Sequence, residues 1–386
     1  MTGVSVDVAR GWDEVAALRP LWESFPRASI TADFDHFHTV IRSDPSMLEP
    51  WALAARRSDT PVALALGRLE ELRLPLKIGY RTLVAPRLRS LTMVYRGVLG
   101  DVDDEIAGRL VRELVDVLAD GSVDVVTFRR LDLASSLYAA ATTVPGSLAR
   151  QRRTRAAVCW ERSLPPSYDA FLGSLSKSTR TGVKRYSNKL ERDFDGRLEV
   201  RRLARPDDLD EFFRDADAVA ARSYQRGLGV GVRDDAAQRQ RILVALEKGW
   251  FRAFVLRIDD EPVAFCNGDA YGDRFSYGIP GYDPAYRDYR VGTYVLMKLI
   301  EDLCADPDVS VLDLGFGDAE YKRRFGDRSW QEADVHVFAT RARPVAINVA
   351  RTAVLATNDA LTRVAGSLGV LDRVKQRWRR NVADGD

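Results

Sequence analysis

Histidine is scarce in this chain. Of 386 residues three are histidine, and His36 and His38 fall near the N-terminus on a segment expected to be helical. So few imidazoles argue against a histidine-built metal centre, and no metal is expected. Cysteine is equally sparse. Cys159, Cys266 and Cys304 share no motif spacing, which argues against a disulfide framework or a zinc site and favours a reducing compartment. No stretch approaches 18 uninterrupted apolar residues, so no membrane span is expected. The opening MTGVSVDVARGWDE lacks a basic region followed by an apolar run and does not read as a signal peptide. The expectation is a soluble, cytoplasmic protein. A large charge of one sign is also missing: 58 cationic residues against 56 anionic leave a net +2, which does not announce a nucleic-acid binder.

What is present is apolar content of 46% over a length suited to two or three domains. The same unit reads twice. Residues 51–69 form a strand, a polar turn with Pro61-Val62-Ala63, and a second strand; residues 250–269 repeat this with Pro262-Val263-Ala264. Each is followed by an amphipathic helix, near 104–119 and 291–305. After each helix comes a short apolar strand, Val123 to Phe128 and Val309 to Leu314, of the kind buried on both faces. This order predicts an α/β or α+β duplication. The copies differ in their glycines. The second has Gly315 and Gly317 after its strand and Arg290-Val291-Gly292-Thr293 before its helix, where a backbone turn with arginines suits a phosphate-bearing ligand. It is the candidate active unit, and the first is a scaffold or acceptor wall.

Between the copies, residues 174–194 place Lys177, Arg180, Lys184, Arg185, Lys189 and Arg192 on one half of a helical projection. Leu175, Val183, Tyr186, Leu190 and Phe194 occupy the other half. This is either a solvated face or a surface for a phosphate-rich or acidic partner, the few interspersed glutamates favouring the second. From Pro344 the chain reads as a long helix ending in Arg373, Lys375, Arg377, Arg379 and Arg380 around Trp378. Cations there complement a helix dipole, with contact to a membrane surface as the lesser reading. Asp313-Leu314-Gly315-Phe316-Gly317 invites a methyltransferase reading, but too few βα units follow it. The Gly-rich segment around Val230-Gly231-Val232 follows no strand and reads as a flap over an acceptor cleft.

The run Gly281-Tyr282-Asp283-Pro284, Tyr289-Arg290-Val291-Gly292, Val311 to Gly317, and Tyr321-Lys322-Arg323-Arg324-Phe325-Gly326 resembles the GNAT acetyltransferase superfamily. It looks most like the CelD-type branch of cellulose and exopolysaccharide biosynthesis, akin to the FemAB peptidyltransferases. The basic segment beginning Ser176-Lys177-Ser178-Thr179-Arg180 resembles that branch too. The resemblance covers about 165–340, and the first half matches as a degenerate copy. One departure stands out: the superfamily's phosphate turn carries a glycine where this chain has Arg290.

The resemblance implies tandem GNAT-like domains, each a mixed central sheet flanked by helices. Expected boundaries are 1–160 for a degenerate copy, 161–343 for the catalytic copy and 344–386 for a basic terminal helix. It also implies that the strand around Ser276 to Ile279 splays from Val309 to Leu314 to admit a thioester arm. The diphosphate would then meet Arg287, Arg290 and the N–H groups of Val291, Gly292 and Thr293. Gly278 would let the thioester approach, with a backbone N–H there holding the oxyanion; a plain strand-end role for this glycine stays open. Tyr321 would protonate the departing thiolate, Lys322 would orient the acyl group, and Asp313 is the base candidate, with turn capping as its alternative. Lys177, Arg180 and Tyr289 are expected to contact substrate, with Asp283 a weaker candidate at the acceptor mouth.

The resulting expectation is an N-acyltransferase, moving an acyl group from acetyl-CoA or another acyl-CoA to an amine of a sugar or small metabolite in envelope or polysaccharide assembly. Two rivals are carried: a Fem-like transferase drawing on aminoacyl-tRNA, for which nucleic acid would be a partner, and a non-catalytic scaffold of the same fold.

Overall fold

A computed structural model describes residues 3–79, 81–223 and 231–367. The cationic tail at 373–380 and most of the Gly-rich segment before Gly231 lie outside the described residues. The chain divides into two compact units, one running to Ala157 and resuming at Gln331, the other spanning Val158–Trp330.

In the first unit, β1 (Val4–Arg10) lies antiparallel to β2 (Met47–Arg57). Between them run α1 (Gly11–Ala17), α2 (Arg19–Ser24) and α3 (Phe34–Ser43), the last capped by Asp33 on the His36 N–H. A tight turn at Ser58-Asp59, both at positive φ, returns the chain as β3 (Thr60–Arg73). A small ribbon of β4 (Leu76–Ile78) and β5 (Arg81–Val84) precedes β6 (Arg87–Gly100), which pairs antiparallel with β3. Helix α4 (Asp104–Ala119) then crosses over and buries Ile106, Leu110, Leu114 and Val117. It leads to β7 (Val125–Asp132), parallel to β6, and to α5 (Ser136–Thr143).

The second unit opens with β8 (Ala156–Ser163), α6 (Tyr168–Ser174), α7 (Lys177–Asp193) and β9 (Leu198–Leu203). Helices α8 (Leu209–Arg222) and α9 (Ala236–Glu247) follow. The hairpin of β10 (Phe251–Ile258) and β11 (Glu261–Tyr271) turns on Asp259-Asp260, again both at positive φ. Next come β12 (Arg274–Tyr277) and the two-residue β13 (Gly281–Tyr282), both antiparallel to β11. Helix α10 (Val291–Cys304), β14 (Val311–Phe316) and α11 (Glu320–Phe325) complete it. The spatial order is β8-β14-β12-β11-β10-β9, with β13 beside β11. Three antiparallel strands, a crossover helix and a parallel strand thus occur in the same order in both units. The duplication is real, down to the hairpin turn.

The last two elements return to the first unit. Strand β15 (Arg328–Phe338) pairs antiparallel with β7, and α12 (Ala342–Ser367) follows. Asn348 on α12 donates to the Leu148 and Arg150 carbonyls, and Asn358 to that of Lys77. The second unit therefore closes near Trp330 rather than 343, and the helix expected as a separate terminal piece is packed into the first unit as far as it is described. Among the described residues no helix is long and apolar enough to cross a membrane.

Across the first unit's sheet a row of buried polar side chains is fully paired. Arg68 Nε donates to Glu70, Thr92 Oγ1 donates to Glu70 at 2.7 Å, and Ser90 bridges Thr92 and Thr127. His336 Nδ1 lies 3.1 Å from Thr127 Oγ1. Burial, with the nearby Arg351 and Arg129 charges, holds the His336 pKa well below its ordinary 6.5. Between those two values the unfolded chain binds the extra proton, so stability rises with pH up to about 6.5 and is lost on acidification below it. Thermal unfolding from pH 7 to 5 should show this loss, and His336→Gln should flatten that limb; an unchanged slope would contradict the assignment.

Candidate active site

Strands β12 and β14 run parallel over three rungs, Arg274 with Val311, Phe275 with Leu312 and Ser276 with Asp313. There they part. Asp313 Oδ1 accepts from the Gly315 N–H at 2.9 Å, and Gly315 and Gly317 take φ of 74° and 96°, which a side chain resists. β14 stays paired with β8 through this bend, a register shift after Asp313 setting Gly315 opposite Trp160 and Phe316 opposite Cys159. On the other side the chain stays with β11: the Gly278 N–H donates to the Asn267 carbonyl at 2.8 Å, and β13 continues the pairing. Each strand finds its bonds away from the other.

The opening leads to a cavity of about 450 Å³, lined by Tyr277, Tyr282, Arg287, Arg290, Gly292 and Tyr321 among others. A 3₁₀ turn, Pro284–Tyr289, delivers the chain to Arg290, which caps α10 in the left-handed conformation (φ 57°, ψ 40°) with no side-chain cap bond. Arg290 stands where the resembled turn carries a glycine, and it takes the left-handed conformation that favours glycine. The Val291 and Gly292 amides, at the first positions of the helix, have no intrahelical acceptor and carry the positive end of its dipole. In the first unit the equivalent terminus is closed: the Asp103 carboxylate accepts from the Ile106 N–H and pairs with Arg57. One terminus is anionic and capped, the other cationic and open.

The cofactor residues expected from sequence are largely assembled. Arg287, Arg290, Val291, Gly292 and Thr293 all line the cavity. The Thr293 N–H, however, donates to the Arg290 carbonyl at 2.8 Å, so two amides rather than three point outward. Gly278 also differs. Its N–H is held by Asn267, so it is not an oxyanion donor, and a Cβ there would lie 2.1 Å from Asn267 Oδ1. Its glycine answers to Asn267. The neighbouring Ile279 is exposed, and among the described residues its N–H has no acceptor.

Tyr321 lines the cavity, its ring 6.2 Å from that of Tyr277. Lys322 is buried, and its Nζ donates to the Phe316 carbonyl at 2.7 Å, bracing the glycine bend. Asp313 is buried on the last rung, bonded to Gly315 and 3.9 Å from Arg274 Nη1. Three expected substrate contacts lie elsewhere. Tyr289 packs on α7, its hydroxyl 3.3 Å from Asp193 and its ring under Lys189. Arg180 donates to the Gly173 carbonyl, and Lys177 lines a separate shallow hollow on α7. Asp283 caps the 3₁₀ turn through the Ala285 N–H and pairs with Arg222 at 2.9 Å.

Two polar residues escaped the sequence reading. Asn267 and Asp269 lie on β11 inside CNGDAY, and their signal was a polar pair interrupting an otherwise apolar central strand. Asn267 is 6% exposed, and its Oδ1 has no hydrogen-bond partner among the described residues. Desolvation pushes Asp269 up to about 7, an effect the charge of Arg241 only partly offsets.

Gly278→Ala should displace Asn267 and destabilise the protein by about 1–3 kcal/mol, in the range of core overpacking. Adding Asn267→Ala should recover most of that loss in denaturant unfolding. Failure of the double variant to recover would show that another neighbour excludes the side chain.

Residues 177–323 match the family described as Acetyltransferase (GNAT) domain. No curated protein matches the sequence. Among solved structures the fold is similar to the crystal structure of FemX, with a TM-score of 0.60 and 10% identity, over 88% of this chain and 99% of that one. It is also similar to a conserved protein of unknown function from Bacteroides thetaiotaomicron VPI-5482, with a TM-score of 0.51 and 13% identity, over 85% and 99% of the two chains. At such identities the likeness speaks for fold alone. The segment from α7 into α11, which supplies the strand split and the uncapped helix, is thus the part of the chain that matches the GNAT acetyltransferase family.

Proposed function

We propose that the second unit is an N-acyltransferase that moves an acyl group, acetyl by preference, from acyl-coenzyme A to an amine of a sugar or small metabolite. The observation that carries this reading is the uncapped, arginine-flanked start of α10 opening into the cavity beside the parted strands. The donor's diphosphate sits against the Val291 and Gly292 amides, with Arg287 and Arg290 alongside. Gly292 keeps that approach clear, because a side chain there would grow towards Tyr282 and the cavity. The amide-rich arm pairs with backbone groups freed where β12 leaves β14, bringing the thioester carbonyl to the split.

The acceptor nitrogen attacks the thioester carbon, and the tetrahedral oxyanion takes the Ile279 N–H in place of the committed Gly278 N–H. A contact of this kind is worth roughly 3 kcal/mol. The C–S bond then breaks. Tyr321 gives its hydroxyl proton to the thiolate and recovers one from the nitrogen. Lys322 and Asp313 are positioning residues that hold the bend, through the Phe316 carbonyl and the Gly315 N–H. The CelD-type resemblance suggests envelope polysaccharide assembly as the setting, and a cytoplasmic location would give access to the donor.

A second reading has its own observation. Lys177, Lys184, Arg185 and Arg192 are exposed along α7, a face suited to the phosphates of an aminoacyl-tRNA donor. Calorimetry separates the two. Coenzyme A should bind the wild-type chain, and Arg290→Gly should bind it about tenfold more weakly while gaining about 1 kcal/mol of stability as the left-handed strain is relieved. Absence of coenzyme A binding, with salt-sensitive binding of charged tRNA, would overturn the acyl-coenzyme A reading in favour of the second.

A further inference from the structure

The two faces of the second unit's sheet are fixed by contacts along β11. Cys266 Sγ donates to the Val295 carbonyl of α10, whereas Phe265 meets Phe212 of α8 edge-on, 6.3 Å between ring centroids. Alternation then places Asn267 and Asp269 on the α8 face. Pairing extends this face across the sheet: Asp269 opposes Ser276, Ser276 opposes Asp313, and Asp313 opposes Glu161. Asp269 therefore belongs to the last rung before β12 and β14 part, and Asn267 opposes Gly278 one step beyond it.

The corresponding row of the first unit is closed, each polar group from Arg68 to His336 having a partner. In the second unit only part of the row is satisfied. Glu161 takes Arg274 and Arg328, and Asp313 takes Gly315. Asp269 has neither a hydrogen bond nor an ion pair among the described residues, and the Asn267 acceptor beside it is buried and equally unpartnered. Two unpaired acceptors stand on one face of one strand, their Cα atoms about 7 Å apart. Side chains leaning together from such positions can meet a single ammonium group, which offers three donors and a positive charge.

We propose that Asn267 and Asp269 receive the acceptor's ammonium group and that Asp269 takes the proton which must leave before the nitrogen attacks. This deepens the acyltransfer reading and rests on it. The balance is complete: the ammonium gives one proton to the Asp269 carboxylate, the amine forms the C–N bond, and the C–S electron pair leaves on sulfur. The thiolate takes the Tyr321 proton, and the second nitrogen proton restores the phenol. Asp269 then returns its proton to solvent, so that amide, free thiol and one proton are the products. A carboxylate held near 7 by burial is matched to this exchange at neutral pH. The charged groups facing it are Arg241 from α9, with Arg274, Asp313 and Glu161 farther along the row.

The test uses the full chain with carbon-13-labelled aspartate, the Asp269 carboxyl signal being identified by its loss in Asp269→Asn. Its titration midpoint should lie near 7 and move down by at least half a pH unit in methylammonium chloride. Tetramethylammonium chloride at equal ionic strength, lacking N–H donors, should not move it, and Asn267→Ala should reduce the methylammonium shift at least threefold. A second readout is independent of any ligand. Because the folded pKa is raised, stability falls as pH rises from about 4 to about 7, so the melting-temperature gain of Asp269→Asn should be larger at pH 8 than at pH 5. A midpoint near 4, or no response to methylammonium, would overturn the role of Asp269. Failure of coenzyme A to bind would instead overturn the donor reading, so the two failures are distinguishable.

Discussion

Everything at the site follows from the parting of two parallel strands after the Ser276–Asp313 rung. Parallel neighbours would ordinarily continue to share hydrogen bonds, because an unpaired buried amide costs about as much as a lost bond. Here each strand keeps its outer partner while the inner pairing ends. The Asp313–Gly315 bond and the positive-φ glycines bend β14 along β8, while Gly278 and β13 hold the other chain on β11. The separation is therefore built into the pairing of the second unit, with both strands stabilised on their outer sides.

A second constraint fixes what that opening attracts. Arg290 occupies a left-handed position that favours glycine, at a cost of about 1–2 kcal/mol, and places a cation where the first unit has the Asp103 carboxylate. Duplication thus produced two helix starts of opposite character. The capped one completes its own hydrogen bonds and stabilises its helix. The uncapped one leaves amides and arginines turned to the cavity, which is the arrangement an anionic carrier requires.

Much of this was legible in the sequence because it rests on local signals. The repeated Pro-Val-Ala hairpins, the apolar periodicity of α4 and α10, and the glycines after β14 each report on backbone a few residues long. The turn-to-helix junction at Arg287–Thr293 was legible for the same reason. What was not legible depended on cross-strand neighbours. Gly278 reads as a ligand-facing glycine until Asn267 is seen beside it, and Tyr289 reads as a site residue until α7 is seen to cover it. Asp269 gives almost no local signal: its meaning comes from the rung it shares with Ser276 and from the absence of a partner. The end of the second unit was misplaced because β15 pairs with β7, about 200 residues earlier in the chain.

The most direct measurement is a crystal structure of the full chain with coenzyme A. The account predicts the diphosphate on the Val291 and Gly292 amides beside Arg287 and Arg290, with the pantetheine arm entering between β12 and β14 and its sulfur near Tyr321. A coenzyme bound elsewhere, or one whose arm lies outside strands that have closed against each other, would contradict it.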